Sequence, residues 1–205
     1  MEKFVQLTAR VCPLMLANLN TDQILPARYL KWPRSKGLGA VLFHDLRVDS
    51  DGKERKDFPL NQPLWQDASI LLAGRNFGGG SSREAAVYAL YDHGFRCVIA
   101  PSFGDIFAQN AVKNGLLTAI VSEADVVDMA PTVSENPQLP VTVDLERKVV
   151  VCGNRTYAFD IDPVSRNQLL NGWDDVDLTD SYKDRIAQFS ADYRVRRPWV
   201  IPAKS

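Results

Sequence analysis

Apolar and polar residues change places along this chain in two rhythms. Phe4-Val5-Gln6-Leu7-Thr8-Ala9-Arg10-Val11 alternates, which predicts a strand that Pro13 ends. Ser69-Ile70-Leu71-Leu72-Ala73, Arg96-Cys97-Val98-Ile99-Ala100 and Leu116-Leu117-Thr118-Ala119-Ile120-Val121 are unbroken apolar runs of strand length. Between them, residues 85–93 and 102–114 read as helices, stopped by Gly94 and Gly115. Strand–helix–strand–helix–strand predicts an α/β unit with largely parallel pairing. Further on, residues 141–145 and 148–151 flank Glu146-Arg147 as a hairpin, and residues 155–161 read as another strand. From about residue 163 the chain reads as a helical tail, with turn chemistry at Asn171-Gly172. No internal repeat or linker interrupts this, so residues 1–205 are expected to form one domain.

The irregular stretches are informative too. Asn20-Thr21-Asp22-Gln23 sets four polar side chains in a row, which predicts a loop or a helix cap. Residues 29–39 are basic and broken by Pro33, Gly37 and Gly39, as in a mobile surface loop. Residues 49–57 read as a charged connection.

Composition narrows the function classes. A formal net charge of −1 over 205 residues gives no broad electrostatic footprint for nucleic acid. The basic run at residues 194–197 is short and reads as a solvated or subunit-facing end. No apolar run approaches the roughly 20 residues that cross a bilayer, and the first residues lack the pattern of a signal peptide. Cys12, Cys97 and Cys152 are scattered and odd in number, which points to a reducing cytoplasm and away from a metal or iron–sulfur site built by this chain. His44 and His93 show no metal-ligand spacing, and His93 suits a helix C-terminus. Ser102-Phe103-Gly104-Asp105 reads as a helix cap.

The segment with the most chemistry follows the second predicted strand. Gly74-Arg75-Asn76-Phe77-Gly78-Gly79-Gly80 leads into Ser81-Ser82-Arg83-Glu84, which has the capping-box spacing of a serine with Glu three residues later. Glycines let backbone amides approach a ligand, a helix start carries unpaired N–H groups and partial positive charge, and Arg83 offers a two-pronged donor. The result is an anion site. No lysine follows Gly80, so it is not a Walker loop, and Arg83 breaks both G-x-G-x-x-G and G-x-S-x-G. On spacing alone, a simple capped helix with a solvated Arg83 remains the alternative.

Gly74-x-Asn76-Phe77-Gly78-x-Gly80-Ser81-Ser82-Arg83-Glu84 resembles the signature of the swivelling domain of the aconitase superfamily. Asn20-Thr21-Asp22-Gln23-Ile24-Leu25-Pro26, Ala100-Pro101-Ser102-Phe103-Gly104-Asp105-Ile106-Phe107, Lys113-Asn114-Gly115-Leu116-Leu117 and Asn171-Gly172-Trp173 resemble, in the same order, the small-subunit family of 3-isopropylmalate dehydratases. The resemblance covers nearly the whole chain. It implies a swivelling β/β/α domain, like the C-terminal domain of aconitase, that closes over an active site housed mainly in a separate large subunit. The large subunit would hold a 4Fe–4S cluster, and this chain would bind no metal or cofactor itself. The implied activity is that of a hydro-lyase subunit in leucine biosynthesis, interconverting 2-isopropylmalate and 3-isopropylmalate, small dicarboxylates. Relatives acting on citraconate, 2-methylmalate, maleate or homoaconitate share the framework, and a non-catalytic binding homologue is the other reading.

By this resemblance Ser81 is the base toward the substrate Cα proton and Asp22 supports the active site. Ser82 and Arg83 bind substrate carboxylate, and Asn76, Gly80, Thr21 and Arg34 join them in binding substrate. Three positions depart from the pattern. Ala85 stands where the family commonly has histidine, Gly79 where it often has cysteine, and the arginine of the basic loop is displaced, with Arg34 and Lys36 flanking Ser35.

Overall fold

The apolar runs become a single seven-stranded sheet in the order β4-β3-β2-β1-β5-β6-β7. The computed structural model describes residues 1–200; residues 201–205, the end of the expected domain and tail, lie outside the described residues. The strands are β1 (Gln6–Leu14), β2 (Ala68–Ala73), β3 (Cys97–Ala100), β4 (Leu117–Ile120), β5 (Val141–Asp144), β6 (Val149–Cys152) and β7 (Arg155–Ala158). Strands β1 to β4 pair in parallel, while β1, β5, β6 and β7 pair antiparallel.

Strand β1 belongs to both halves of the sheet. Its first residues, from Gln6 to Ala9, pair with β5; from Arg10 to Leu14 it pairs with β2, and the register shifts between Arg10 and Val11. This explains why Pro13 does not end the strand, as its sequence position predicts. Beyond Ala9 the β5 partner has gone, so a residue without an N–H sits where β1 has one neighbour, a place sheets accept proline.

Alternate residues of the central strands enter two separate cores. Leu71 and Ala73 of β2 face one core with Val98 and Ala100 of β3, whereas Ile70 and Leu72 face the other with Cys97 and Ile99. Burial on both sides is why these strands read as unbroken apolar runs. The first core is covered by α1 (Thr21–Ile24), the segment around Leu38–Val41, α2 (His44–Arg47), α3 (Glu84–His93) and α4 (Asp105–Lys113). The second is covered by α5 (Glu123–Glu135), with Val126, Met129 and Val133 buried, and by Leu169 of α6 (Pro163–Asn171). Helix α5 was not anticipated from sequence, although Ser122 caps it onto the Asp125 N–H and its buried residues keep helical spacing. Two further helices follow, α7 (Asp175–Asp180) and α8 (Lys183–Arg196).

The basic stretch at residues 29–39 is not a free surface loop along its whole length. It folds into short 3-10 turns, and Leu38 and Gly39 are buried against α3. A Cβ on Gly39 would lie 2.5 Å from the His93 backbone nitrogen, so this contact needs glycine.

His93 is thereby held at the end of α3, its Nδ1 3.3 Å from the Gly39 carbonyl and its ring 5.3 Å from that of Phe95. Burial lowers its pKa, opposed by the Gly39 carbonyl and assisted by the Arg47 charge. The unfolded chain therefore takes up a proton at a higher pH than the folded chain does. Stability should fall as pH drops below about 6.5 and level off below the depressed native value. Urea unfolding at pH 7.5 and 5.5 should show this loss, and His93→Gln should flatten it; an equal loss in the variant assigns the acid sensitivity elsewhere.

Candidate active site

Strands β1, β2 and β3 end side by side and point the same way, so the loops that follow them meet at one edge of the sheet. Open α/β sheets bind ligands at this edge. Three backbone bonds lay the loop after β1 against the loop after β2. Asn18 N–H donates to the Arg75 carbonyl (2.8 Å), Gly78 N–H to the Leu19 carbonyl (2.7 Å) and Thr21 N–H to the Gly79 carbonyl (3.1 Å). The loop after β3 joins them through Phe77 N–H to the Ser102 carbonyl (3.0 Å) and Gly104 N–H to the Phe77 carbonyl (2.9 Å).

Such close backbones exclude side chains. Gly78 has φ +72°, and a Cβ there would sit 2.2 Å from the Phe107 ring; a Cβ on Gly104 would sit 2.6 Å from the Gly78 carbonyl oxygen. Asn76 takes the left-handed conformation at φ +55°, which asparagine tolerates better than most residues. Its N–H donates to Ser102 Oγ (2.9 Å) and its Nδ2 to Asn18 Oδ1 (3.0 Å), so it braces all three loops.

On this base stand the residues singled out from sequence. Ser81 and Ser82 are exposed. Arg83 is largely covered, and its guanidinium pairs with the carboxylate of Asp22. Asp22 is positioned by α1, which Asn20 caps in a reciprocal box. The Asn20 side chain accepts from Gln23 N–H (2.8 Å) and the Gln23 side chain accepts from Asn20 N–H (2.9 Å). Thr21 is 2% exposed, and its hydroxyl donates to the Ser81 carbonyl at 2.9 Å. Gly80 takes φ +93°, and a Cβ there would lie 3.6 Å from Asn20 Cβ. Ser81, Ser82, Arg83, Asp22, Thr21 and Gly80 are thus gathered together, with Asn76 behind them.

Arg34 is not part of that group. Its Nε and NH2 donate to Asp92 Oδ1 at 3.1 and 2.9 Å, and its guanidinium lies 4.4 Å from the centre of the Tyr88 ring. Asp92 is two turns past the start of α3, roughly 12 Å along the axis at the usual helical rise.

Two expected caps are corrected. The N-cap of α3 is Arg83, with no side-chain cap bond, and α3 begins at Glu84. Ser81 lies two residues before that N-cap, and its carbonyl accepts from the Thr21 hydroxyl. Likewise Gly104 is the N-cap of α4, and Ser102 Oγ serves Asn76 instead. Reciprocal capping boxes lie instead at α1, where the Asn20-x-x-Gln23 spacing was the signal, and at α7, between Asp174 and Asp177. The roles of Asn18 and Ser102 depend on contacts distant in sequence and carry no local signal.

The cysteines do not suit metal binding. Cys12, Cys97 and Cys152 are all buried; desolvation pushes the Cys12 thiol up to about 12 and raises the other two as well. Among the described residues, no group of three or more His, Cys, Asp or Glu side chains is placed to hold a metal ion.

If the site depends on close loop contact, Gly78→Ala should be costly. It should destabilise the fold by about 2–4 kcal/mol, because a left-handed φ and a clash with an aromatic ring act together. Thermal or urea unfolding measures this, and a variant as stable as the parent would mean that the loops do not meet so closely.

A family model for the aconitase C-terminal domain matches residues 1–124, and one described as LeuD_N matches residues 132–163. The chain is 46% identical over 202 residues to the 3-isopropylmalate dehydratase small subunit of Rhodospirillum centenum, covering 98% of this chain and 100% of that one. It is 44% identical over 201 residues to the same subunit of Paramagnetospirillum magneticum, covering 98% and 100%. A solved structure of 3-isopropylmalate dehydratase from Methanocaldococcus jannaschii resembles it with a TM-score of 0.64 at 25% identity, over 89% of this chain and 98% of that one.

Proposed function

The chain belongs to the aconitase C-terminal-domain family, among the 3-isopropylmalate dehydratase small subunits, and on that premise we propose that Thr21, Asp22 and residues 76–83 form half of a two-subunit active site. The reaction is removal of water from 2-isopropylmalate and its return as 3-isopropylmalate. The observation that carries this reading is the exposed Ser81, two residues before the Arg83 that pairs with Asp22 at the start of α3.

The division of labour follows from side-chain chemistry. Arg83, with planar forked donors, holds a substrate carboxylate in two hydrogen bonds. Ser82 adds a third donor. Ser81 takes the proton from the carbon beside a carboxylate, the C–O bond to the leaving hydroxyl breaks, and an alkene dicarboxylate remains. Return of water with opposite regiochemistry gives the isomer. A serine hydroxyl is a weak base, so Ser81 acts as its alkoxide, its own proton lost to solvent, and returns to the hydroxyl on taking the carbon's proton; until then its charge needs cationic and N–H support, available from Arg83 and the amides at the helix start. Ala85 brings no imidazole to that helix start, which leaves this support to the backbone and Arg83. The large subunit's 4Fe–4S cluster would supply the Lewis acid for the leaving hydroxyl. The buried, dispersed cysteines of this chain do not fit such a cluster.

Because Ser81 and Ser82 are exposed, water must be excluded by another surface, and the large subunit is the partner that would do it. We place the reaction in the cytoplasm, where buried free thiols persist. Arg34, held on Asp92, lies in the stretch that would meet the substrate's alkyl group.

The direct test pairs this chain with an iron–sulfur large subunit under anaerobic conditions and assays 2-isopropylmalate, 2-methylmalate and maleate side by side. Turnover of 2-isopropylmalate by the pair alone is expected. Ser81→Ala should lower kcat by on the order of 10³ or more while the subunits still co-purify. Turnover by the isolated chain, or normal turnover with Ser81→Ala, would count against the two-subunit site or the serine base respectively.

Arg83→Lys should act mainly on binding, raising KM by about tenfold or more because an ammonium cannot reproduce the fork. Steady-state kinetics would decide it, and an unchanged KM would remove Arg83 from the carboxylate.

A further inference from the structure

Thr21 is 2% exposed, and both of its donors are used on a single stretch of the loop after β2. Its N–H donates to the Gly79 carbonyl at 3.1 Å and its hydroxyl to the Ser81 carbonyl at 2.9 Å, one on each side of Gly80. The N–H is a first-turn amide of α1 that the helix itself leaves without a partner.

Peptide geometry converts this clamp into a statement about the opposite face. Every peptide link among the described residues is trans, so each carbonyl points away from the N–H of the next residue. Turning the Gly79 carbonyl toward Thr21 turns the Gly80 N–H away from it. Turning the Ser81 carbonyl toward Thr21 does the same to the Ser82 N–H. Neither N–H has an acceptor among the described residues. The positive φ of Gly80, +93°, lets the loop present both carbonyls to the same side.

We propose that Thr21 is a positioning residue rather than a substrate contact: by holding the Gly79 and Ser81 carbonyls inward it aims two free N–H groups outward on either side of Ser81. The anion those amides receive is a substrate carboxylate or the Ser81 alkoxide before it takes the proton. This rests on Ser81 being the base. It also changes the part expected of Thr21 from sequence, since a hydroxyl already donating to a backbone carbonyl is not aimed at substrate.

Thr21→Val removes the hydroxyl and keeps the branched shape, while Thr21→Ser keeps the hydroxyl. Both keep the backbone N–H. With the large subunit bound, Thr21→Val should lower kcat by roughly 10–100-fold, the scale of a misplaced catalytic group. KM should change much less, and Thr21→Ser should recover most of the rate. NMR of the isolated chain gives a readout independent of turnover. The Ser81 carbonyl ¹³C and Ser82 amide ¹⁵N resonances should shift in Thr21→Val and stay near their parental positions in Thr21→Ser. Unmoved resonances in the valine variant would overturn the clamp. Shifted resonances with unchanged kcat would overturn its role in positioning. If the parent pair fails to turn over 2-isopropylmalate, the functional reading fails and the positioning role fails with it, while the resonances still report whether the clamp exists.

Discussion

Residues 18–21 and 75–79 pair along their backbones, and this contact brings Thr21 and Asp22 to residues 80–83. It extends the parallel pairing of β1 and β2 past the strand ends. The same sequence offset separates Leu14 from Ala73 within the sheet and Asn20 from Gly79 in the loops. The site is therefore an outgrowth of sheet register. A slip between β1 and β2 would move Asp22 and Thr21 away from Ser81 and Arg83, and would also turn apolar side chains to the wrong face.

Loops this close need both missing and bulky side chains. Gly74, Gly78 and Gly104 stand where an added Cβ would meet backbone or ring atoms at 2.2–2.7 Å. Under them, Phe77, Phe103 and Phe107 form an aromatic cluster with ring centres 5.4–6.4 Å apart. Phe77 and Phe107 are buried, so the exposed Ser81 stands on packed core and not on a free loop. Catalytic groups gain from such a base, since small displacements are expensive in rate.

The parts of this arrangement that were legible in sequence are those with local causes. Apolar runs marked β2, β3 and β4, Gly94 and Gly115 marked helix ends, and glycine with arginine marked an anion loop. The same signals misplaced the caps. Ser81 and Ser102 have capping chemistry and spacing, but α3 and α4 begin later, at Glu84 and Asp105, and residues far away in sequence hold the Ser81 carbonyl (Thr21) and the Ser102 hydroxyl (Asn76). Pro13 would end an isolated strand, yet it is tolerated because β5 has already left β1. Arg34 had the right charge for an anion, but Asp92 and Tyr88, one helical turn apart, take it up. In each case a tertiary partner displaced a local preference, and no short-range pattern records tertiary partners.

On the proposed reading, the pair of Arg83 and Asp22 explains why this chain would be half of a site. With Asp22 half exposed, such a pair adds little to stability, so its consequence lies in local charge. Without substrate the two cancel, leaving the partial positive charge of the α3 start, about half an elementary charge. A dicarboxylate adds two negative charges to that balance, and deprotonating its carbon adds density on the same ligand. On that reading Arg83 would bind one carboxylate with donors that Asp22 leaves free; it is the one cation among Thr21, Asp22 and residues 80–83, and Arg34 is committed to Asp92. The excess negative charge would then be met from across the exposed face, by cationic side chains or the proposed metal centre of the large subunit. Closure of the two subunits would then do more than exclude water: it would bring the charge that lets a serine act as a base.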